Sequence, residues 1–130
     1  MIYLDTSAFL KTVIAEPESD ALGRYLRTFG SPLFVSSALL AVEARRSILR
    51  TVPAELPRVD LELLDVIQIE LTGVVLETAG RLPDPMLRTL DAVHVATALL
   101  IREDLDVVVS YDQRMLAAAE AHGLPAAAPS

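Results

Sequence analysis

One apolar segment in the second half of the chain constrains the fold more than any other feature. Residues 90–101 are long enough to form a helix and are apolar on almost every side, which is typical of a helix packed near the centre of a domain. Only Asp91, His94 and Thr97 interrupt the segment, at steps of three. A carboxylate in such surroundings is costly unless it takes up a proton, pairs with another group or binds a cation. Asp91 therefore indicates a strongly partnered side chain or a functional site.

Short apolar runs alternate with helical patterns along the rest of the chain. Strands are predicted at residues 2–4, 33–35, 65–71 and 106–110. Helices are predicted at residues 8–14, between Pro17 and Gly30, from a cap at Ser36 or Ser37 to about 50, and at 59–64, 73–82, 90–101 and 112–122. Such alternation is typical of an α/β sandwich, in which helices cover a parallel sheet. The Ala/Pro-rich tail, residues 124–130, gives no clear prediction.

The composition limits the class of protein. The chain has 130 residues, of which 52% are hydrophobic, and no cysteine. No apolar run approaches the ~18–20 residues that cross a bilayer, and the N-terminus lacks the basic and apolar regions of a signal peptide. The lack of cysteine excludes disulfides and thiolate metal sites and fits a reducing compartment. We therefore expect one cytoplasmic domain, residues 1–130, that is not associated with a membrane.

The charge balance bears on nucleic-acid binding. A net charge of −7 argues against a protein that coats nucleic acid with a basic face. It does not exclude a site where metal ions carry the positive charge. Lys11 is the only lysine among the 11 basic residues, so the others are arginines, which suit phosphate best. The arginines of the first half could form a local basic patch or be scattered, solvated charges, and both interpretations stay open. These arginines are Arg24, Arg27, Arg45, Arg46 and Arg50.

Four acidic residues stand where a site of an α/β sheet forms, just beyond the carboxyl ends of the strands. Asp5 closes the first predicted strand, and Asp112 follows the last one at the start of a helix. Asp91 lies near the start of the central helix, and Glu43 lies on the apolar side of the helix that ends near residue 50. Four separate elements thus each supply one carboxylate.

Each of these carboxylates also has a structural interpretation. Asp5 and Asp112 each precede a predicted helix and could simply cap it. Glu43 could pair with Arg46 or face Ser47, one turn further along the same helix. Asp91 is the acid for which a purely structural role is hardest to find.

If the four carboxylates meet, their repulsion is large, because two unit charges ~4 Å apart at an effective dielectric near 20 repel by ~4 kcal/mol. Divalent ions relieve that repulsion, and oxygen ligands favour Mg²⁺ or Mn²⁺ over Zn²⁺. Such ions bind phosphates, activate water and stabilise a departing oxygen. The histidines are expected to be structural: His94 as a hydrogen-bonded core residue and His122, beside Gly123, at a helix end.

Several motifs together resemble the PIN-domain family and, more narrowly, the VapC-type toxins of type II toxin–antitoxin (VapBC) systems. They are Asp-Thr-Ser at 5–7, Glu43, Leu-Arg-Thr-Leu-Asp-Ala-Val-His-Val-Ala-Thr-Ala at 87–98, and Ser-Tyr-Asp-Gln-Arg at 110–114. The resemblance covers essentially the whole chain. It implies a three-layer α/β/α sandwich whose central, mainly parallel sheet is flanked by helices. The three alanines at 126–128 are less strand-like than the family's usual end, which leaves the last strand open.

The resemblance also implies a function and site roles. The activity would be that of an Mg²⁺- or Mn²⁺-dependent endoribonuclease that cuts tRNA or rRNA to inhibit translation, in a homodimer that a cognate VapB-type antitoxin holds inactive. By motif position, Asp5 and Asp91 are the expected direct metal ligands. Glu43 and Asp112 would complete the coordination, directly or through water. Hydroxyl positions that could assist a phosphate or a ligand fall on Ser7 and Ser110.

Two other classes of protein compete with this interpretation. The first is the class of aspartyl-phosphate proteins. Within it, haloacid-dehalogenase phosphatases need an acid two residues after the nucleophile, where this chain has Ser7. Receiver domains need a late lysine, whereas the only lysine is Lys11. A catalytically inactive PIN-fold module that binds RNA or protein would be expected to lack at least one acid, and none is missing. Metal-assisted hydrolysis that leaves 5′-phosphate and 3′-hydroxyl ends is the favoured chemistry.

Overall fold

The computed structural model describes all residues from Met1 to Ser130. Its strands are β1 (Ile2–Leu4), β2 (Phe34–Ser37), β3 (Val66–Ile69), β4 (Val107–Val109) and β5 (Ala126–Ala127). Its helices are α1 (Thr6–Val13), α2 (Ser19–Arg27), α3 (Leu39–Thr51), α4 (Leu56–Leu63), α5 (Gly73–Gly80), α6 (Thr89–Leu100) and α7 (Gln113–Ala121). Two short 3₁₀ turns lie at Pro53–Glu55 and Arg102–Asp104.

The five strands form one parallel sheet in the order β3-β2-β1-β4-β5. The central strand is β1, in which Tyr3 pairs with Val35 of β2 and with Val108 of β4. The chain first builds outward on one side of β1, through β2 and β3, and then crosses to the other side for β4 and β5. The predicted parallel sheet is confirmed, and the open question of the last strand is answered by the short β5.

Side chains alternate between two helical layers, as the period of a strand requires. Ile2 and Leu4 pack into a core formed with α1, α2, α3 and α4. Tyr3, between them, packs on the opposite face with α6 and α7. Helix α5 covers α6 through Val75. These layers confirm the predicted three-layer α/β/α sandwich.

Helix α6 is the central helix that the apolar segment predicts, since residues 92–98 are all buried. None of the helices has both the length and the hydropathy that a bilayer span requires. The predicted helix ends at Gly30 and Gly123 are confirmed. Both glycines have φ of +77°, a left-handed conformation that favours glycine after a helix.

Some predicted boundaries are wrong by a few residues, and the clearest case is β2. It extends to Ser37 instead of ending at residue 35, because its two serines still pair with Gln68 and Ile69 of β3 and are fully buried. Ser36 donates to the Leu4 carbonyl oxygen at 2.6 Å, and Ser37 Oγ accepts from Leu39 N at 3.1 Å. Helix α4 begins earlier than predicted, at Leu56.

Candidate functional site

The connections that leave β1 and β4 run in opposite directions, which makes a crevice at the carboxyl ends of these neighbouring strands. Asp5 directly follows β1, and its backbone N–H donates to the Val109 carbonyl oxygen at 3.2 Å. Asp112 follows β4 and is the N-cap of α7. The register of two parallel strands therefore brings together residues that are more than a hundred positions apart.

A polar cavity of about 220 Å³ occupies this crevice. No hydrophobic residue lines it; its walls are Asp5, Thr6, Ser7, Glu43, Arg88, Asp91, His94 and Asp112. The four predicted acids thus line one cavity, together with Ser7. Ser110 lies fully buried behind the wall, where it is hydrogen-bonded to Asp5. The wall residues that the sequence did not predict as part of the site are Thr6, Arg88 and His94, although each lies inside a motif at 5–7 or 87–98.

Asp5 is both a helix cap and a wall of the cavity, so the two interpretations of this residue are compatible. Its Oδ1 accepts from Ala8 N at 2.9 Å and from Ser7 Oγ at 2.6 Å, and its Oδ2 accepts from Ser110 Oγ. Burial raises the pKa of this carboxyl, and the two hydroxyl hydrogen bonds oppose the rise. These hydrogen bonds therefore hold Asp5 in place, but they do not fully offset the cost of burying its charge.

The two serines connect Asp5 to the loop that follows β4. Ser7 Oγ accepts from Tyr111 N at 2.9 Å, and Ser110 Oγ accepts from Asp112 N at 3.0 Å. Each hydroxyl thus donates to the Asp5 carboxylate while it accepts from a loop amide. Their observed contacts orient Asp5 within the cavity wall.

Glu43 does not pair with Arg46 or Ser47, and that interpretation of this residue is wrong. Its Oε1 accepts from Thr6 Oγ1 at 2.9 Å and from His94 Nε2 at 2.6 Å. Burial opposes ionisation of Glu43, but the hydrogen bond and the electrostatic interaction with His94 lower the pKa of this carboxyl overall. The tertiary fold turns the side chain across to α1 and α6, instead of along its own helix.

His94 is the core histidine that the sequence predicts, and both of its ring nitrogens have a hydrogen-bond partner. The Tyr3 hydroxyl accepts from Ser37 N at 3.2 Å and lies 2.6 Å from His94 Nδ1. Burial raises the pKa of the Tyr3 hydroxyl, so it keeps its proton. The other ring nitrogen of His94, Nε2, lies 2.6 Å from Glu43 Oε1. A buried chain of hydrogen bonds from Tyr3 through His94 thus ends on a carboxylate of the cavity.

Asp91 has the least satisfied carboxylate of the four. Its Oδ2 is buried and has no hydrogen-bond partner, alone among the buried side-chain oxygens and nitrogens of the protein. Burial, and next the nearby Asp112 carboxylate, raise the pKa of Asp91. An orphaned carboxylate oxygen in an acidic cavity is the feature that a bound cation would explain.

Asp112 caps α7 and still has an oxygen to spare. Its Oδ1 accepts from Arg114 N at 2.8 Å and from Met115 N at 3.3 Å, and its Oδ2 takes part in no hydrogen bond. No three of the acidic and histidine side chains are arranged as a ready-made metal centre. The site therefore offers separate carboxylate oxygens around a cavity, which suits a hydrated ion held by one or two direct ligands.

The fold and these carboxylates agree with the comparison to known proteins. The family description that matches the chain is that of the PIN domain, over residues 2–121. The chain therefore belongs to the PIN-domain family.

Its relatives within that family are VapC-type proteins. The chain is 44% identical to Ribonuclease VapC46 of Mycobacterium tuberculosis (strain ATCC 25618 / H37Rv), with 99% of this chain and 98% of the relative covered. It is 41% identical to Ribonuclease VapC35 of the same strain, with 99% and 97% covered. The fold is also similar to VapBC2 from Rickettsia felis, solved bound to a DNA fragment from the promoter, with a TM-score of 0.75, 15% identity and complete coverage of both chains, 100% each.

Proposed function

We propose that this protein is a divalent-metal-dependent endoribonuclease, the toxin of a VapBC-type toxin–antitoxin pair, built as one PIN domain over residues 1–130. Its activity is the hydrolysis of phosphodiester bonds in tRNA or rRNA, which stops translation. The relatives named ribonuclease support this class of reaction. The observation that carries the proposal is the orphaned Asp91 Oδ2 in a cavity lined by three further carboxylates.

The residues of the cavity fit Mg²⁺ or Mn²⁺. Asp5 and Asp91 are the proposed direct ligands, and Glu43 and Asp112 hold the remaining positions directly or through water. All the donors are oxygens, as these ions prefer, and Mg²⁺ commonly keeps several waters beside one or two carboxylates. When bound, the ion supplies charge that draws in a phosphate, activates water and stabilises the departing oxygen.

The protein's own groups then orient the reaction. Ser7 and Ser110 hold the Asp5 carboxylate through both of its oxygens. His94 and Thr6 hold Glu43 and favour its ionised form. Arg88, the only arginine or lysine on the cavity wall, supplies a fork of donors that suits a phosphate oxygen. Cleavage by this route leaves 5′-phosphate and 3′-hydroxyl ends.

The activity test compares the parent protein with Asp91→Asn on tRNA and rRNA in Mn²⁺, with the RNA ends mapped. The parent should cut and Asp91→Asn should not, although both give the same circular dichroism spectrum. Asp20→Asn removes an exposed acid outside the cavity and is the matched control that should cut like the parent. Cleavage at full rate in EDTA would exclude the metal-dependent reaction. A folded parent that cuts neither RNA would favour an inactive PIN-fold binding module.

The proposed partner is a VapB-type antitoxin, and the proposed assembly of the toxin is a homodimer in the cytoplasm. The similar Rickettsia felis structure is of a VapBC complex, which supports this pairing. An arginine of the antitoxin that reached the cavity would replace a cation by bidentate pairing with the carboxylates. Co-purification from the native operon should recover the partner. Expression of the free protein without toxicity and with no bound partner would contradict the pairing.

A further inference from the structure

A second groove adjoins the acidic cavity on the side of α3. Its volume is about 430 Å³. It shares three wall residues with the acidic cavity, namely Thr6, Ser7 and Glu43. Beyond these it is lined by Arg46 and Arg50 of α3. The two depressions therefore form one continuous surface that is acidic at one end and basic at the other.

The arginines follow Glu43 along one face of the helix. Residues three, four and seven positions apart share a face of an α-helix. With a rise of 1.5 Å per residue, Arg46 lies about 4.5 Å and Arg50 about 10.5 Å beyond Glu43 along the axis of α3. The positive charges thus begin one turn from the carboxylates and continue outward for a further turn.

Neither of these two guanidinium groups is neutralised within the protein. Arg46 and Arg50 are exposed and form no ion pair, whereas Arg45 on the same helix donates to Asp60 at 2.8 Å. What distinguishes these two arginines is their place in a groove that adjoins the acidic cavity, where their charge is available to an external anion. A guanidinium presents a fork of donors that matches a phosphate group.

We propose that Arg46 and Arg50 bind the phosphate backbone of the RNA strand on one side of the bond that is cut. This inference rests on the proposed ribonuclease function and adds a substrate-binding site to it. The charge complementarity selects a polyanion as the occupant. The groove also has an apolar wall, where Val42 is 60% and Leu90 47% exposed, which suits the faces of sugars and bases. Under this proposal, the local-patch interpretation applies to these two arginines.

The test measures binding of a fluorescein-labelled single-stranded RNA by anisotropy, in the Asp91→Asn background so that the RNA stays intact. The variants are Arg46→Gln and Arg50→Gln, and Arg45→Gln is the matched control on the same helix. Loss of one phosphate contact should lower the slope of log affinity against log salt by about 0.7 and weaken binding about fivefold at 0.1 M salt. The double variant should show both effects together, and Arg45→Gln should bind like its background.

Cleavage gives a second reading in proteins that keep Asp91. Arg46→Gln and Arg50→Gln should raise KM for a long RNA and leave kcat near the parent value, because the groups lie outside the reacting centre. A dinucleotide too short to reach the groove should be cut equally by all of these proteins.

Unchanged salt slopes in both arginine variants overturn the inference, provided that the background protein binds RNA. The inference is also overturned if the arginine variants no longer retain the antitoxin but bind RNA like their background, since the groove would then be a protein-docking surface. If the parent neither binds nor cuts RNA, the proposed function itself fails, which is a distinct result.

Discussion

The hydroxyl of Tyr3 offers the sharpest test of how the core supports the cavity. Tyr3→Phe removes one oxygen and leaves the ring in place. Tyr3 and Ser37 are fully buried, and His94 is 2% exposed. The substitution removes the bond at 3.2 Å from Ser37 N and the bond at 2.6 Å to His94 Nδ1. Both groups then remain in the interior without this partner.

Each buried group left unsatisfied costs about 1–3 kcal/mol, so losing the partner of two groups should lower the free energy of unfolding of Tyr3→Phe by about 2–6 kcal/mol. That is a large share of the roughly 5–15 kcal/mol typical of a domain. Urea unfolding should show a lower midpoint and an unchanged m value, because the surface exposed on unfolding stays the same. Tyr25→Phe is the matched control: the Tyr25 hydroxyl forms no hydrogen bond, and its removal should change stability by less than about 0.5 kcal/mol.

Tyr3→Phe should also reduce RNA cleavage, since the hydroxyl holds the His94 ring whose other nitrogen contacts Glu43. Loss of such an orienting partner commonly costs about 10–100-fold in metal affinity or activity. The reasoning is refuted if Tyr3→Phe unfolds within about 0.5 kcal/mol of the parent. Reduced stability with unchanged cleavage would leave the hydroxyl a structural role and remove its role in orienting Glu43.

Two further predictions concern the carboxylates. The pKa of the Asp91 carboxyl is raised. The stability that this carboxyl contributes is therefore full below its pKa in the unfolded chain and is lost as the pH rises through its pKa in the folded protein. In EDTA at neutral pH, Asp91→Asn should therefore melt no lower than the parent. In Mn²⁺ the parent should gain about 2.7 kcal/mol at a hundredfold excess over Kd, and Asp91→Asn should not; an equal gain in both would exclude Asp91 as a ligand. Ser110→Ala removes the donor to Asp5 Oδ2 and the acceptor for Asp112 N, so urea unfolding should show a loss of about 1–3 kcal/mol. A negligible loss would mean that the hydroxyl does not hold the carboxylate.

The hydrogen-bond partners of the site residues were the part that sequence reasoning described least well. Glu43 has possible partners one turn away on its own helix, and local spacing favours them. The structure instead turns Glu43 towards His94, 51 positions away, at 2.6 Å. Arg88 also lines the cavity, although no local sequence pattern marks an arginine before a helix as functional. Such contacts depend on how helices pack across the sheet, and no periodicity of the chain encodes that arrangement.

The sequence by itself determined the class of fold, the central helix and the identity of the acids, because these follow from local signals. Apolar periodicity sets the strands and helices, capping residues set their ends, and a carboxylate inside an apolar helix stands out wherever that helix packs. Only the tertiary structure decided that Asp5, Glu43, Asp91 and Asp112 line one cavity, that Asp91 Oδ2 has no partner, and that two free arginines continue the surface. The physical reason is strand order: placing β4 beside β1 brings together residues that are distant in the chain, and the long-range hydrogen bonds then orient them.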